Sequence, residues 1–201
     1  MPAGSADPRR DDAGQKATAP VKVADMPPLR ALAAPGMRLE PVTAAHAPEM
    51  FVVLRDPAIY EFENEPPASM EGLADRYARL ESRRSGDRTQ AWLNWVIRLS
   101  TGQACGYVQA TVLESGAALV AYELASRYWR RGIATAAVTA MLDELRDRYG
   151  MTMAFAVLKA RNHRSAGLLR KLGFASADAG EAARLGAEAD EAVMVRVGTP
   201  A

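Results

Sequence analysis

The stretch from Tyr128 to Val138, YWRRGIATAAV, constrains this chain more than any other, because it joins an apolar run to a helix through a basic glycine turn. The run before it, AALVAYELA, is strand-like, and Val138, Met141, Leu142 and Leu145 after it keep helical spacing. A strand feeding a loop whose backbone N–H groups open a helix makes an anion site, and the helix dipole adds partial positive charge. Arg130 and Arg131 bring full charges to the same place. The chemistry expected here is a phosphate-bearing ligand.

The elements on either side follow from hydrophobic period and stop signals. Residues 1 to about 35 are rich in Ala, Pro, Gly and charges without a period, and are expected as a disordered tail ahead of a domain spanning 36–198. Met37–Val42 reads as a short strand. Thr43 caps a helix to about Arg55 that buries Met50, Val53 and Leu54, and Asp56-Pro57 ends it. EFENEPP, with Glu61, Glu63 and Glu65, is expected as an irregular loop before Pro66 and Pro67. Ser69 caps a second helix to about Arg84, with Leu73, Tyr77 and Leu80 inside and Arg76, Arg79, Arg83 and Arg84 on a solvated face.

From Ala91 the period becomes two. Leu93, Trp95, Ile97 and Leu99 share one side of a strand, Ser100–Gln103 turns, Ala104–Leu113 returns, and Ala117–Ala125 follows as the third strand of an antiparallel meander. The helix after the glycine turn reaches Tyr149 and stops at Gly150, with Glu144 and Arg148 as an exposed pair, and Met151–Leu158 is the next strand. That strand–helix–strand unit is parallel and right-handed, so the sheet is mixed. Asn162 caps a short helix carrying Leu168, Leu169 and Leu172 and closed by Gly173-Phe174; a loop over 175–190 precedes a last strand, Ala192–Val197. The expected fold class is α/β, a single domain with a central mixed sheet and helices on both faces.

The 201 residues leave room for one domain, and a net charge of +1 gives no electrostatic reason to expect a nucleic-acid or membrane partner. The single cysteine, Cys105, excludes an internal disulfide and a cysteine-based zinc cluster, and it reads as a core residue; no metal site is expected. No apolar run reaches the roughly 18 residues that span a membrane, and the amino terminus lacks an apolar leader, so a cytoplasmic protein is expected. A homodimer is left open.

YWRRGIATAAVTAMLDEL resembles the acetyl-CoA loop of the GCN5-related N-acetyltransferases (the GNAT superfamily), in the branch of ribosomal-protein alanine N-acetyltransferase-like enzymes of the RimJ/RimL type. ARNHRSAGLLRKLGF resembles the same branch's second signature, an Asn, a Ser three residues on, and an apolar helix closed by Leu-Gly-Phe. The two lie in the family's order and separation, and the likeness covers about residues 36–197. It implies acetyl-CoA as acyl donor, with the pyrophosphate on the backbone from Arg130 through Arg131, Gly132, Ile133 and Ala134 to Thr135. It also implies pantetheine added as an extra strand along Leu124, Ala125 and Ser126, and Asn162 and Ser165 near the pantetheine and the sulfur. Read without the resemblance, Asn162 is a helix cap and Arg130 and Arg131 are solvated charges.

The activity so implied is direct transfer of acetyl to a primary amine in a ternary complex, the amine being a protein amino terminus or a small molecule. Several members of the wider family carry a Glu on the strand before the Asn and a Tyr in the following helix; here those places hold Val157 and Leu169. Glu123, a carboxylate within LVAYELA, is the remaining candidate base, with a structural ion pair as the competing reading, and Ser165 is the group to meet the departing sulfur. His46 reads as solvated and His163 as a helix-start residue. The Glu61, Glu63 and Glu65 loop is expected to line the acceptor pocket. A catalytically silent acyl-CoA-binding module is the competing function.

Overall fold

In the computed structural model, which describes residues 22–198, eight strands form one sheet. They are β1 (Leu32–Ala34), β2 (Met37–Pro41), β3 (Gln90–Leu99), β4 (Ala104–Leu113), β5 (Ala117–Leu124), β6 (Met153–Lys159), β7 (Ala175–Ser176) and β8 (Glu191–Val197), in the order β1-β2-β3-β4-β5-β6-β8-β7. The helices are α1 (Ala47–Val53), α2 (Met70–Leu80), α3 (Ile133–Tyr149), α4 (His163–Lys171) and α5 (Ala179–Arg184). All neighbouring pairs are antiparallel except β5 with β6, the pair that α3 connects. The sheet is therefore mixed, as the strand–helix–strand pattern predicts.

Period two explains only half of β3. Trp95 and Ile97 face one side and Val96 the other, yet all three are fully buried, so both faces of the sheet are covered at its centre. On one side Trp95 Nε1 donates to Arg30 O at 2.8 Å. α1 packs against β4 and α2, and α3 against β1, β4 and β5.

Helix ends follow their local chemistry. Ser69 accepts from Gly72 N at α2, and Gly150 closes α3 at φ 63°. At α4, Phe174 N bonds Leu169 O and Gly173 N bonds Arg170 O, the Schellman pair read from Gly173-Phe174. Both helices before β3 are shorter than expected. A 3₁₀ turn, Ala44–His46, precedes α1, and α2 ends at Leu80 because Arg83 adopts a left-handed φ of 59° and Arg84 bridges to Ala91.

Several expectations change. Residues 22–35 are part of the fold: Val23 is fully buried and β1 pairs with β2, so the ordered domain begins before residue 36. The remainder of the expected tail, residues 1–21, lies outside the described residues. Glu144 is not on an exposed face, since its side chain is 3% exposed and is held by Arg30 from that segment as well as by Arg148. His46 is not solvated: Thr43 N donates to its Nδ1 at 3.1 Å and its Nε2 lies 3.3 Å from Glu40. Arg83 is no free cation either, because it donates to Val42 O at 2.6 Å. The 175–190 loop contains β7 and α5, whose Asp178 and Glu181 form a capping box.

Candidate active site

β5 and β6 pair only over Ala117–Leu119 and Met153–Phe155. Beyond Leu119 the two strands part, β6 continuing on β8 and β5 on β4, so the edge of β5 from Val120 onward carries no strand among the described residues. On the other side of β5, β4 carries a bulge. Ile97 faces Gly106 but Arg98 faces Ala104, which leaves Cys105 as an extra residue in a bulge. A Cβ on Gly106 would lie 2.0 Å from Glu123 O, so only glycine permits β5 to lie this close, and Cys105 O then accepts from Ala125 N at 3.0 Å. Burial pushes the Cys105 thiol up to about 12, against a weaker opposite pull from Arg127, so it stays protonated at neutral pH.

The gap opens a cavity of about 360 Å³ that reaches both faces of the sheet. Tyr122 and Glu123, neighbours on β5, project to opposite faces, yet both line it. The Tyr122 hydroxyl lies 2.8 Å from Ser165 Oγ on α4, and Asn162 Oδ1 accepts from Ser165 N at 3.1 Å, fixing the serine at the helix start. Burial lifts the Tyr122 phenol to about 12, opposed by its bond to Ser165, so it is a proton-bearing partner at neutral pH.

Glu123 stands directly opposite Tyr107 on β4, so the two side chains share one face of the sheet. Burial raises the Glu123 carboxyl above its ordinary range; the nearby Tyr107 hydroxyl and the Arg76 charge work against the rise, and Glu63 adds to it. Tyr60 closes this end and donates to Leu54 O at 2.8 Å. Glu63 and Glu65 of the acidic loop line the cavity, whereas Glu61 is turned to an ion pair with Arg164. Val157 and Leu169 also line it and bring no acid or base there.

At the other end of β5 the glycine turn folds back on the strand. Trp129 Nε1 donates to Leu124 O at 2.8 Å, Tyr128 N to Ala125 O at 2.9 Å, and Ser126 N to Asp56 Oδ2 at 2.6 Å. Leu124, Ala125 and Ser126 thus have backbone groups engaged within the chain, and the unpaired edge lies just before them. Arg130 and Gly132 are both left-handed, at φ 58° and 77°. The first bond into α3 runs from Ala136 N to Gly132 O, so the amides of Arg131, Gly132, Ile133, Ala134 and Thr135 have no acceptor among the described residues. Arg130 and Arg131 are exposed beside them and form no ion pair among the described residues. Nothing lies within 4 Å of a Cβ built on Gly132. A row of unpaired amides, open space beside them and an unpaired strand edge suit a pyrophosphate followed by an amide-bearing arm.

The structure therefore brings Glu123, Ser165 and Asn162 to one cavity, while Arg130–Thr135 lie outside its lining, in the turn between β5 and α3. It adds Tyr122, Tyr107 and Arg76, which sequence reasoning missed. Tyr122 and Tyr107 occupy ordinary strand positions, and only the β4–β5 register and the placement of α4 reveal their partners.

A split mixed sheet, with a helix start of unpaired amides following β5, is the architecture of an acyl-CoA-dependent acyltransferase. The Acetyltransferase (GNAT) domain profile matches residues 37–175, and the chain belongs to this family of acetyl-CoA-dependent N-acetyltransferases. Among solved structures it is similar to RimL, a ribosomal-protein alpha-N-acetyltransferase in complex with coenzyme A (15% identity, 81% of this chain and 94% of that one, TM-score 0.69). It is also similar to Mycobacterium smegmatis RimJ in complex with a CoA disulfide (19%, 84% and 86%, 0.67). A third is the ribosomal-protein-S5-alanine acetyltransferase from Vibrio fischeri (17%, 83% and 96%, 0.67). These identities establish a shared fold. No curated protein sequence matches the chain. No helix among the described residues is long and apolar enough to cross a membrane.

Proposed function

We propose that this acetyltransferase moves acetyl directly to a primary amine, with both substrates bound at once in the split of the sheet. The observation that carries the reading is the single cavity lined on one side by Glu123 and on the other by the Tyr122–Ser165 pair. The amides of Arg131–Thr135, flanked by Arg130 and Arg131, hold the pyrophosphate. The open edge of β5 from Val120 to Glu123, just before the engaged backbone of Leu124–Ser126, pairs with the pantetheine, and Asn162 orients Ser165 toward it. When bound, acetyl-CoA supplies an activated thioester carbonyl.

Glu123 takes a proton from the ammonium form of the acceptor, directly or through one water. An aliphatic amine is mostly protonated at neutral pH, and burial makes this carboxylate a stronger base than an exposed one. Ser165 donates a hydrogen bond to the sulfur as the C–S bond breaks, and Tyr122 donates to Ser165 in turn. Positioning of two reactants in one cavity supplies much of the remaining acceleration. The acceptor is an amine, either a protein amino terminus or a small molecule, drawn to the side lined by Glu63 and Glu65.

The test follows CoA thiol release with a panel of amines and amino-terminal peptides, comparing the native chain with Glu123→Gln. Turnover that depends on an amine and falls in the variant is expected. A silent acyl-CoA-binding module is the second reading, favoured by the apolar Val157 and Leu169 in the cavity. Tight CoA binding with no turnover on any amine selects it.

A further inference from the structure

Three segments distant in sequence meet at Arg164, the second residue of α4. Its guanidinium carbon lies 4.4 Å from the centre of the Trp129 ring and 5.2 Å from that of Phe62, and its Nη2 is 2.5 Å from Glu61 Oε2. Arg161 adds a second cation 5.7 Å from the Phe62 ring and donates to Phe62 O at 3.4 Å. Trp129 is itself anchored to the end of β5 through Leu124 O. One side chain thus reaches from the α4 wall of the split to the glycine turn on the β5 wall. The same side chain holds the segment that continues into Phe62, Glu63 and Glu65, which line the cavity.

We propose that Arg164 is a positioning residue that couples the two substrate sites, its stack on Trp129 opening to admit the cofactor and thereby releasing the Glu61–Phe62 segment from the cavity mouth. The inference rests on the cofactor reading of the split given above. An arm laid along the edge of β5 between the glycine turn and Ser165 has to pass between β5 and α4, where Arg164 crosses. Each of its contacts is weak alone: the ion pair is about half exposed on both sides, and cation–π contacts at open sites are modest. They share one planar group, so moving the guanidinium away from Trp129 also disturbs Phe62 and Glu61. Linkage makes the coupling reciprocal, so whatever loosens the segment also eases entry of the cofactor.

The test is hydrogen exchange with and without saturating CoA, together with CoA affinity by calorimetry, on the native chain, Arg164→Ala and Glu61→Gln. In the native chain CoA should protect the amides of 131–136 and speed exchange over 57–65. In both variants the 57–65 segment should already exchange fast and respond no further to CoA. Glu61→Gln, which removes a contact without touching the cofactor path, should bind CoA tighter by about fivefold, the low end of typical coupling. A purely structural tie would loosen the segment and leave CoA affinity alone. Protection of 131–136 with exchange over 57–65 unchanged or slowed overturns the proposal, as does native affinity in Glu61→Gln. If CoA protects nothing at 131–136, the cofactor reading itself fails.

Discussion

The Tyr122 hydroxyl lies 2.8 Å from Ser165 Oγ, joining the strand that leads into the glycine turn to the helix on the far side of the split. The contact exists only because β5 leaves β6 after Leu119. With Ser165 N held by Asn162 Oδ1, the serine is fixed at both its amide and its hydroxyl.

Ser165→Ala should lower kcat about 10²-fold and leave the KM for acetyl-CoA near native, since the bond to sulfur strengthens as charge develops there. Tyr122→Phe should cost less, on the order of tenfold, because it removes only the second donor. Steady-state thiol release measures both. A native kcat in Ser165→Ala would remove the serine from the chemistry.

The Glu123 carboxyl is raised, so the rate limited by its ionised form should climb as pH rises through that elevated value and level off above it. Glu123→Gln should lose this limb of the profile and about 10²-fold or more in kcat. Arg76 pulls the same carboxyl down, so Arg76→Ala should move the limb to higher pH. A pH–rate profile that does not shift in Arg76→Ala contradicts the assignment.

At Gly132 the backbone is left-handed and the space beside it is open. Gly132→Ala should cost about 1–2 kcal/mol of local strain and weaken CoA binding, while Gly132→Val should abolish binding with the fold intact. Calorimetric titration with CoA and circular dichroism separate the two effects. Unchanged CoA affinity in Gly132→Val would exclude the turn as the pyrophosphate site.

Acid stability should depend on Glu40. Burial works to raise its carboxyl, but hydrogen bonds from Arg38, Arg98 and His46 outweigh that and bring it down to about 2 from an ordinary value of 4.5. Its contribution is fully present above the unfolded value and is lost as pH falls from there through about 2. Glu40→Gln should remove roughly 2 kcal/mol at neutral pH and flatten the loss of stability between pH 4.5 and 2, as urea unfolding would show. An equally steep loss in the variant would place the acid-sensitive group elsewhere.

Features whose cause is local were readable from the chain: the glycine turn into α3, Asn162 at the start of α4, the Gly150 stop and the Gly173-Phe174 closure. Each depends on residues within a turn or two of one another. Residues 22–35 could not be read this way. Their Pro and Ala content resembles a linker, and what orders them is distant: the pairing of β1 with β2, Trp95 on Arg30 O, and Glu144 on the Arg30 guanidinium. α5 was hidden in a loop rich in Ala and Gly whose capping box, Asp178 and Glu181, was the one available sign.

The sequence by itself determined where the glycine turn opens a helix and which strands and helices surround it, because backbone conformation at glycines, caps and alternating apolar positions is set by neighbours in the chain. The tertiary structure decided what else meets there. The bulge at Cys105 and the close approach at Gly106 seat β5 against β4, which sets Tyr107 opposite Glu123; the parting of β5 from β6 opens the cavity, and the placement of α4 sets Tyr122 on Ser165 and Arg164 on Trp129. Those pairings depend on register and on contacts between residues far apart in the chain, which no local pattern encodes.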